Sequence, residues 1–597
     1  MLPSSQKALD AAKQGQVEEA CALFDESIAQ EADPNCLLQA AFCYRAVGRQ
    51  SDALAALKRL DENGNTNPPA LLLRADIFAA IGRHHQATAL YQQLLEIDDS
   101  RIQYSAALGL YRCGDVAAAG RVAERTAKDP NATLAAQATL LNGRCLAAQE
   151  KYSDAAKLFA SVASSPTLHK AARYRIARLQ LHQGQFSEAE QILREILAAD
   201  DDAPGARETL LQTLIHSGQT SAALGLIDTT PATDASLPWL RHATDFLTES
   251  GNPDPLRYLT SRWAHSPSPE VFRELMGRLL EAGALGDAQA LAEDYANTFS
   301  QDHHWRWATM RWLLGKGDYE EVLRHRTDPQ QDSEECICEA QFALGHYANA
   351  LETAQWLCRS APGDQYFIAL LVTGLRCLED ARYSALVDPD TLLTTVSLPA
   401  IDGTADVGDD FWREVAEAVG HHHSMQVAPP LQSVQSGIQT PGNLLTQTQQ
   451  PALRQLKSII DRAANSFFNS ESLDQLSDAH PLKLFRPRTP FMHASWAIRA
   501  QTGTFHRSHV HAKGWYSGTC YIEVPDAISG DHDAGHLVLG EPPFKTKDPL
   551  APLARVRPEV GRLVLFPSYF WHSTRPFKGE GWRQVVAFDY GKENCFV

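Results

Sequence analysis

Apolar residues in the first two-thirds of the chain recur at the spacing of amphipathic helices. In residues 70–98 (ALLLRADIFAAIGRHHQATALYQQLLEID), two such stretches flank Gly82. Apolar side chains three, four and seven positions apart share one helical face, so each stretch predicts a helix. Glycine adopts the left-handed conformation of a tight turn at little cost, so Gly82 marks the connection. The segment predicts a helix–turn–helix unit with two apolar faces: Leu71, Leu72, Ala75 and Ala79 on the first helix, and Ala87, Ala89, Leu90 and Leu94 on the second.

This unit repeats along residues 1–380. An anchor, usually glycine, is followed five positions later by a small residue, in the pairs Gly15–Ala20, Gly48–Ala53, Gly82–Ala87, Gly114–Ala119, Glu150–Ala155, Gly184–Ala189 and Gly218–Ala223. The anchors Gly251, Gly283, Gly317 and Gly345 continue the series, although the repeats degenerate after about residue 230. A period of about 34 residues is typical of tetratricopeptide repeats. Such units stack into a superhelix, whose groove we expect to bind a protein or peptide without doing chemistry. The alternative is an irregular all-helical domain.

Near residue 380 the pattern changes. Residues 381–410 end in SLPAIDGTADVGDD and predict a linker or an entry strand, and residues 411–597 predict a second domain with a helix over Pro451–Phe468. After Pro490, apolar residues alternate with a period of two. The predicted strands, Ser495–Ala500, Trp515–Val524, His536–Leu539, Arg562–Phe566 and Gln584–Phe588, indicate a β-sandwich or jelly-roll barrel.

Charge and composition narrow the classes of protein. The 597 residues carry a net charge of −18, which repels phosphate backbones and argues against nucleic-acid binding. We expect neither a signal peptide nor a membrane span, because no suitable apolar window is present. The eleven cysteines are scattered, and Cys43 and Cys145 occupy apolar helical positions. These features predict a cytoplasmic protein with buried thiols.

Candidate metal ligands lie on two of the predicted strands. His509 and His511 are two positions apart, so a strand directs both side chains to one face, and His572 follows the buried run Leu563–Phe566. Imidazole nitrogens suit iron, zinc or copper, and three protein ligands leave positions open for substrate and oxygen. His506 lies three positions before His509, so we expect it on the other face, behind the site or at the surface.

A buried arginine gives this metal site a more specific chemistry. Arg583 follows His572 by 11 residues, on the last predicted strand. A guanidinium inside a barrel is costly unless it meets an anion, and its fork matches a carboxylate. An Fe(II) site for 2-oxoglutarate needs this arrangement, because the keto acid chelates the iron at one end and needs a cation at the other. We therefore expect Fe(II) and 2-oxoglutarate as cofactors.

Five sequence blocks resemble the 2-oxoglutarate/Fe(II) oxygenases that bacteria often fuse to tetratricopeptide repeats, within the prolyl-hydroxylase-like superfamily. They occur in the same order and are Gln435–Leu444 (QSGIQTPGNL), Ser495–Arg499 (SWAIR), His509–Pro525, Gly561–Phe577 and Trp582–Tyr590. The resemblance implies a double-stranded β-helix, or jelly-roll, with flanking helices. It also implies that Tyr521, on the strand after the first metal pair, contacts the keto acid beside Arg583.

One residue departs from the pattern of the wider superfamily. Most members carry aspartate or glutamate where this chain has His511. Compared with two histidines and a carboxylate, three neutral ligands leave the iron site with one more positive charge. This charge should tighten the binding of anionic ligands to the iron and raise its reduction potential. The alternative carboxylate ligand is Asp526, which its position in a turn disfavours. The departure leaves the metal identity and the reactivity toward oxygen open.

Other residues are candidates for contact with substrate or for support of the ligands. Arg499 lies on a strand near the site, and Trp571, like Trp515, is a substrate platform or part of the core. The polar run Gln439, Thr440 and Asn443 lines the substrate entrance or forms a capped turn. The His421–His423 run is interpreted as an exposed helix end rather than a metal tract.

These features predict an α+β multidomain chain, in which an all-α tetratricopeptide superhelix precedes a double-stranded β-helix oxygenase domain. The predicted function is hydroxylation, with dioxygen, of a protein or peptide that the repeat groove recruits. One alternative is a tetratricopeptide scaffold whose barrel binds metal without catalysis. Another is a zinc or manganese cupin-like enzyme, against which Arg583 argues.

Overall fold

In the computed structural model, helices fill the first two-thirds of the chain and antiparallel strands dominate the last third. The structure describes all residues except 1–5, 9, 12–15, 31–32, 48, 65–66, 81–82, 150, 166–167, 234, 327–330, 399–407, 423–433, 436, 441–442, 488–489, 529–532 and 592–597. The anchors Gly15, Gly48, Gly82 and Glu150, most of the predicted linker stretch and His423 therefore lie outside the described residues. The predicted boundaries of repeat region, linker and barrel domain stay predictions.

The residues form two compact units, 1–176 and 177–593. The helices of the first unit are α1 (Val17–Gln30), α2 (Pro34–Ala46), α3 (Gln50–Glu62), α4 (Pro68–Ala80), α5 (His84–Leu94), α6 (Ser100–Arg112), α7 (Val116–Thr126), α8 (Ala132–Ala148), α9 (Tyr152–Val162) and the start of α10 (His169–His182). They pair as the repeat predicts: α2 packs on α3, α4 on α5, α6 on α7 and α8 on α9.

Further helical pairs open the second unit. They are α11 (Phe186–Ala199), α12 (Ala206–His216), α13 (Thr220–Thr229), α14 (Leu237–Glu249), α15 (Arg257–His265), α16 (Pro269–Glu281), α17 (Leu285–Thr298), α18 (His303–Lys316), α19 (Tyr319–Arg324), α20 (Gln331–Leu344), α21 (Tyr347–Ser360), α22 (Gln365–Cys377), α23 (Arg382–Leu386) and α24 (Pro389–Leu392).

The anchor glycines occupy turns that favour glycine. Backbone φ lies between +69° and +87° at Gly114, Gly184, Gly218, Gly251, Gly283, Gly317 and Gly345. A side chain in this region strains the backbone, which explains the recurrence of glycine. The small residue five positions later has a relative exposure of 0% at Ala20, Ala53, Ala87, Ala119, Ala155, Ala189 and Ala223. The small side chain lets the two helices of a repeat approach closely.

Two antiparallel sheets follow the helices in the second unit. Their strands are β1 (Thr394–Ser397), β2 (Val434–Gln435), β3 (Ile438–Gln439), β4 (Phe491–Ala500), β5 (Phe505–His509), β6 (Tyr516–Glu523), β7 (Leu537–Leu539), β8 (Ala554–Val556), β9 (Arg562–Pro567), β10 (His572–Thr574) and β11 (Arg583–Gly591). One sheet has the order β1-β9-β6-β11-β4-β3, and the other β2-β5-β10-β7-β8. Two facing sheets of short antiparallel strands confirm the predicted fold class.

Helices flank these sheets, and several belong to the same core as the strands. They are α25 (Asp409–His422), α26 (Leu444–Gln447), α27 (Pro451–Phe468), α28 (Glu471–Asp474) and α29 (Pro481–Leu484). The bounds of α27 are those predicted, and its apolar face, Leu453, Leu456, Ile459 and Ile460, is buried. The same core includes side chains of α20, α21 and α22. The final repeats and the sheets therefore share one hydrophobic core, which holds the strands that carry the candidate site.

No helix among the described residues is both long enough and apolar enough to cross a bilayer. The ten cysteines in the described part of the chain form no disulfide, and Cys43 and Cys145 are buried, as predicted.

Candidate metal centre and cofactor cavity

Three histidines converge at one end of the five-stranded sheet. His509 ends β5 and pairs across the sheet with His572, the first residue of β10. His511 lies two residues beyond the end of β5, where its backbone N–H donates to Ser568 O. One ring nitrogen from each histidine lies within 4.8 Å of the others, and the Nε2 atoms of His509 and His511 are 3.1 Å apart. The three side chains can therefore share one metal ion.

The other ring nitrogen of each histidine has its own acceptor. The Nδ1–H of His509 donates to Arg507 O at 2.9 Å, and that of His572 donates to Phe570 O at 3.0 Å. We assign the Nδ1–H tautomer to each on this basis, since a backbone carbonyl only accepts. Each Nε2 then keeps its lone pair for a metal, and the hydrogen bond from Nδ1–H fixes the orientation of the ring.

Burial keeps the imidazoles of His509 and His572 neutral. It lowers the pKa of His509 to about 3, and the neighbouring His511 adds to the effect. Burial also holds the pKa of His572 well below its usual value, with His509 and His511 lowering it further. A neutral imidazole is the form that binds a metal, so neither His509 nor His572 has to lose a proton before it can bind one at neutral pH.

Asp589 is the residue of this site that the sequence analysis missed. Its Oδ1 lies 2.5 Å from His511 Nδ1 and accepts a hydrogen bond from Ser517 Oγ at 2.7 Å. Burial alone would raise the pKa of Asp589, but His511 and these hydrogen bonds lower it, so the carboxyl is ionised. The two-residue alternation of β11 carries the signal that could have found it, since Arg583, Val585, Ala587 and Asp589 all line one cavity.

That cavity has a volume of about 430 Å³ and contains both halves of the predicted site. The histidines line it together with Arg583, Tyr521 and Thr574. Its other walls are largely apolar and include Ile498, Leu537, Phe566 and Val585. Tyr521 lies opposite Val585 on the adjacent strand, and burial raises the pKa of its hydroxyl to about 12. The hydroxyl is therefore a hydrogen-bond donor at neutral pH.

Arg583 is a buried cation without a carboxylate counterion among the described residues. Only 3% of it is exposed, and its guanidinium donates to Gly535 O at 2.7 Å and to Thr574 Oγ1 at 3.2 Å. Burial lowers its pKa, because no anion offsets the loss of hydration. A buried guanidinium is stable chiefly when it meets an anion, so this end of the cavity suits a carboxylate.

The donor set fits the cofactors that the sequence predicts. Three neutral nitrogen donors suit iron and leave coordination positions open. The cavity is ample for a small keto acid between the histidines and Arg583.

His506 lines the same cavity, which corrects its predicted placement. In a regular strand, residues three apart point to opposite faces. Here His509 pairs with His572 and His506 with Thr574, so β5 holds one more residue than β10 across this interval. The bulge turns His506 to the face of His509, with a centroid distance of 6.3 Å between the rings.

Gln439 also lines the cavity, but its two polar neighbours do not. Thr440 Oγ1 accepts from Ala497 N at 2.9 Å, so it ties this segment to β4. Asn443 accepts from Ser495 Oγ, and its amide donates to His493 O at 3.0 Å. Both residues hold the backbone beside β4, which favours the structural alternative over a place at the substrate entrance.

Four further candidates are also placed outside the cavity lining. Arg499 neighbours Ile498, which faces the cavity, so strand alternation directs Arg499 to the opposite face, where its guanidinium lies 4.5 Å from the Trp582 ring centroid. Trp571 is buried, and its Nε1–H donates to Thr373 Oγ1 of α22 at 2.9 Å. Trp515 is buried and donates to Leu482 O. Asp526 is exposed in a short 3₁₀ turn outside the cavity.

Comparison with known proteins agrees with this geometry. A family model described as "Putative 2OG-Fe(II) oxygenase" matches residues 494–589, and a tetratricopeptide-repeat model matches residues 146–207. The first match spans all three histidines, Tyr521, Arg583 and Asp589. These matches show a tetratricopeptide repeat and a putative 2OG-Fe(II) oxygenase domain in this chain, and the oxygenase family uses Fe(II), 2-oxoglutarate and dioxygen.

Several solved structures are similar to parts of the chain. A prolyl-4-hydroxylase from Pseudomonas putida shares 16% identity, covering 35% of this chain and 98% of that one, with a TM-score of 0.23. A 2OG-Fe(II) oxygenase family oxidoreductase from Burkholderia pseudomallei shares 11% identity, covering 37% and 90%, with a TM-score of 0.23. Yeast Tom70 shares 13% identity, covering 64% and 89%, with a TM-score of 0.31. No curated protein matches the chain significantly.

Proposed function

We propose that this protein is a 2-oxoglutarate- and Fe(II)-dependent dioxygenase that hydroxylates a protein or peptide recruited by its repeats. One observation carries the proposal: a buried arginine without a carboxylate counterion among the described residues lines the cavity on which three histidines converge. A metal site alone would not need that cation. A keto acid that chelates the metal at one end and carries a second carboxylate at the other would bind both the metal and the arginine.

Each residue has a defined task in this proposal. The Nε2 atoms of His509, His511 and His572 would hold Fe(II), in orientations fixed by the acceptors of their Nδ1–H groups. Arg583 would bind the far carboxylate of 2-oxoglutarate through its guanidinium fork. Tyr521 would donate a hydrogen bond to the same cofactor, since its hydroxyl keeps its proton.

Iron and 2-oxoglutarate, once bound, supply the oxidising chemistry, in which decarboxylation of the keto acid is coupled to insertion of oxygen into a C–H bond. The protein contributes orientation and exclusion of water. Ile498, Leu537, Phe566 and Val585 give the cavity apolar walls, which strengthen the interaction of Arg583 with an anion. The exposed Arg507 and the partly exposed Trp496 and Val510 mark the side from which a substrate can enter.

The proposed substrate class rests on the repeats. Tetratricopeptide repeats generally mediate protein interactions, and a groove along stacked helices suits an extended peptide. A repeat region this long is not needed for a small metabolite to reach the barrel. We therefore propose a protein or peptide substrate rather than a free metabolite.

Turnover of the keto acid tests the proposal. Protein loaded with Fe(II) without oxygen, and then exposed to oxygen and labelled 2-oxoglutarate, should convert the keto acid to labelled succinate and carbon dioxide. A His572→Ala variant should lose both the bound iron and this conversion. His265→Ala, which removes an exposed histidine, should change neither. Absence of turnover in the iron-loaded wild type would instead support a scaffold with a non-catalytic barrel.

A further inference from the structure

The charges of the first unit are unevenly distributed between the two helices of its repeats. Three consecutive first helices, α6, α8 and the part of α10 up to residue 176, contain six basic residues and no acidic one. We call these residues the basic set: Arg101, Arg112, Arg144, Lys170, Arg173 and Arg175. The second helices α7 and α9 mix both signs, and α1 is strongly acidic. Positive charge is thus concentrated on first helices in a chain whose net charge is −18.

First helices of neighbouring repeats line a common groove. A cavity of about 200 Å³ has walls from α2, α4 and α6, and its lining includes Phe42, Leu72, Arg101 and Ile102. Phe42 is 40% exposed, which is unusual for so large an apolar side chain. The groove therefore combines an apolar floor with a cation at its α6 side, a composition that suits a peptide carrying both apolar and charged side chains.

The single carboxylate in this groove is already engaged. Asp76 pairs with Arg45 at 3.2 Å and accepts a hydrogen bond from the Tyr91 hydroxyl at 2.7 Å. Arg101 and Arg112, in contrast, are exposed and form no ion pair within the described ranges. Asp76 therefore does not neutralise them. The carboxylate of Asp129 interacts electrostatically with Arg101 but forms no ion pair with it, so both guanidinium groups can still bind a ligand.

Aromatic side chains accompany the arginines on the next helices. The guanidinium of Arg144 on α8 lies 4.3 Å from the ring centroid of Tyr111 on α6. Tyr104 is half-buried beside Arg112 and Arg144, and burial raises its pKa. Tyrosine and arginine together dominate the energetics of many protein interfaces, because they combine large contact area with hydrogen bonding. Arginine also matches carboxylates with two parallel hydrogen bonds.

We propose that the first helices of the first unit bind an acidic, extended protein segment in which aspartate or glutamate side chains alternate with apolar ones. The carboxylates would meet the basic set, and an apolar side chain would cover Phe42 and Ile102. The role of this segment as the oxygenase substrate rests on the proposed function, whereas its binding does not. A nucleic acid is the less suitable polyanion, because the groove floor is apolar rather than a track of cations.

Peptide binding to the full-length protein tests the proposal. The probe is a short fluorescent peptide with glutamates and leucines in alternating pairs, and its controls carry glutamine or lysine in place of glutamate. We expect anisotropy to report binding of the acidic peptide alone. Binding should weaken as salt rises from about 0.1 M to about 1 M, which shortens the screening length from about 10 Å to about 3 Å.

Two double variants distinguish the effect of the groove on peptide binding from the effect of the protein's overall charge. Arg101→Glu with Arg112→Glu reverses two cations of the basic set. Lys58→Glu with Lys157→Glu makes the same charge change on second helices, at side chains that are 78% and 72% exposed. The first double variant should lower the affinity for the acidic peptide by about tenfold or more. The second should change this affinity by less than about twofold.

Three results would overturn the proposal: equal binding of the glutamine peptide, equal weakening by both double variants, or tighter binding of a single-stranded oligonucleotide than of the acidic peptide. The His572→Ala variant separates this site from the oxygenase. If it binds the peptide normally while wild-type protein shows no 2-oxoglutarate turnover, the proposed function fails and the peptide site stands. If the wild type turns over 2-oxoglutarate but does not bind the acidic peptide selectively, the proposed function stands and the peptide site fails.

Discussion

The Nδ1 atom of His511 lies 2.5 Å from Oδ1 of Asp589, a buried carboxylate on the last strand. In the proposed function, His511 takes the place of the carboxylate ligand of the wider superfamily, and the carboxylate of Asp589 lies on the far side of its ring. A carboxylate that accepts from a metal-binding histidine fixes its tautomer and raises its basicity. Asp589 thus returns to the site part of the negative charge that the three-histidine set lacks.

Replacement of Asp589 by asparagine separates charge from geometry. Asn Oδ1 can still accept from His511 Nδ1–H, so the ring orientation is retained while the negative charge is lost. We expect affinity for Co(II) or Fe(II) to fall by about 10- to 100-fold. Titration of the metal-free protein with Co(II), followed by its visible absorption and by calorimetry, measures this effect without any turnover.

The control is Ser517→Ala, which removes the hydrogen bond from Ser517 Oγ to Asp589 but leaves the carboxylate and its contact with His511. It should weaken metal binding less than Asp589→Asn does. If Asp589→Asn binds Co(II) as tightly as the wild type, with an unchanged spectrum, the carboxylate has no part in holding the metal.

A buried acid in the repeats predicts a loss of stability with rising pH. Burial, with a smaller contribution from Asp245, raises the pKa of Glu249 from 4.5 to about 8. Between these values the unfolded chain is ionised at this residue while the folded protein keeps its proton, so the free energy of unfolding falls as pH rises. Glu249→Gln removes this dependence, because a glutamine cannot ionise.

We expect the glutamine variant to match the wild type near pH 4 and to be more stable by about 1–3 kcal/mol above pH 8, a value discounted for partial solvent screening. Thermal denaturation across this range, in one buffer system, gives the comparison. A constant difference between the two proteins at all pH values would show that Glu249 acts through packing and not through ionisation.

Close helix packing between neighbouring repeats predicts a second effect on stability. A Cβ at Gly109 on α6 would lie 2.2 Å from Cζ of Tyr91, which is 1% exposed and cannot move outward without losing its bond to Asp76. Gly109→Ala should therefore destabilise the first unit by about 1–3 kcal/mol. Gly225→Ala is the matched change, since nothing lies within 4 Å of its Cβ position, and it should be neutral or stabilising by up to about 1 kcal/mol. Chemical denaturation distinguishes the two, and equal effects would contradict the packing argument.

The sequence predicted the elements whose signals are local. The period of the anchors located the helical turns, and the apolar face of α27 gave both ends of that helix. The two-residue spacing of His509 and His511 indicated neighbouring side chains, and both line one cavity. These features depend only on nearby residues, whose spacing is visible in the chain.

The features that escaped prediction depend on distant partners. No pattern near His506 shows that β5 has one more residue than β10, so the sequence placed it on the wrong face. The sequence left open whether Thr440 and Asn443 line the entrance or have a structural role, because their partners on β4 lie 57 and 50 positions away. Trp571 finds its hydrogen-bond acceptor, Thr373, in a repeat helix, which only tertiary packing reveals. The alternation of β11 places Asp589 on the cavity face, but its hydrogen bond with His511, 78 positions away, has no signal in the sequence.

Removal of the cavity cation gives the sharpest test of the cofactor. Arg583→Ala should raise the KM for 2-oxoglutarate by about 30-fold or more, because loss of one partner of a buried charge pair costs about 2 kcal/mol or more. Bound iron should stay unchanged, since the histidines are untouched, whereas His572→Ala should lose it. Arg499→Ala removes an arginine from the adjacent strand on the opposite face, so it should leave the KM within about twofold. If both arginine variants change the KM alike while remaining folded by thermal denaturation, Arg583 does not bind the keto acid, and the anion it meets in the cavity is a different one.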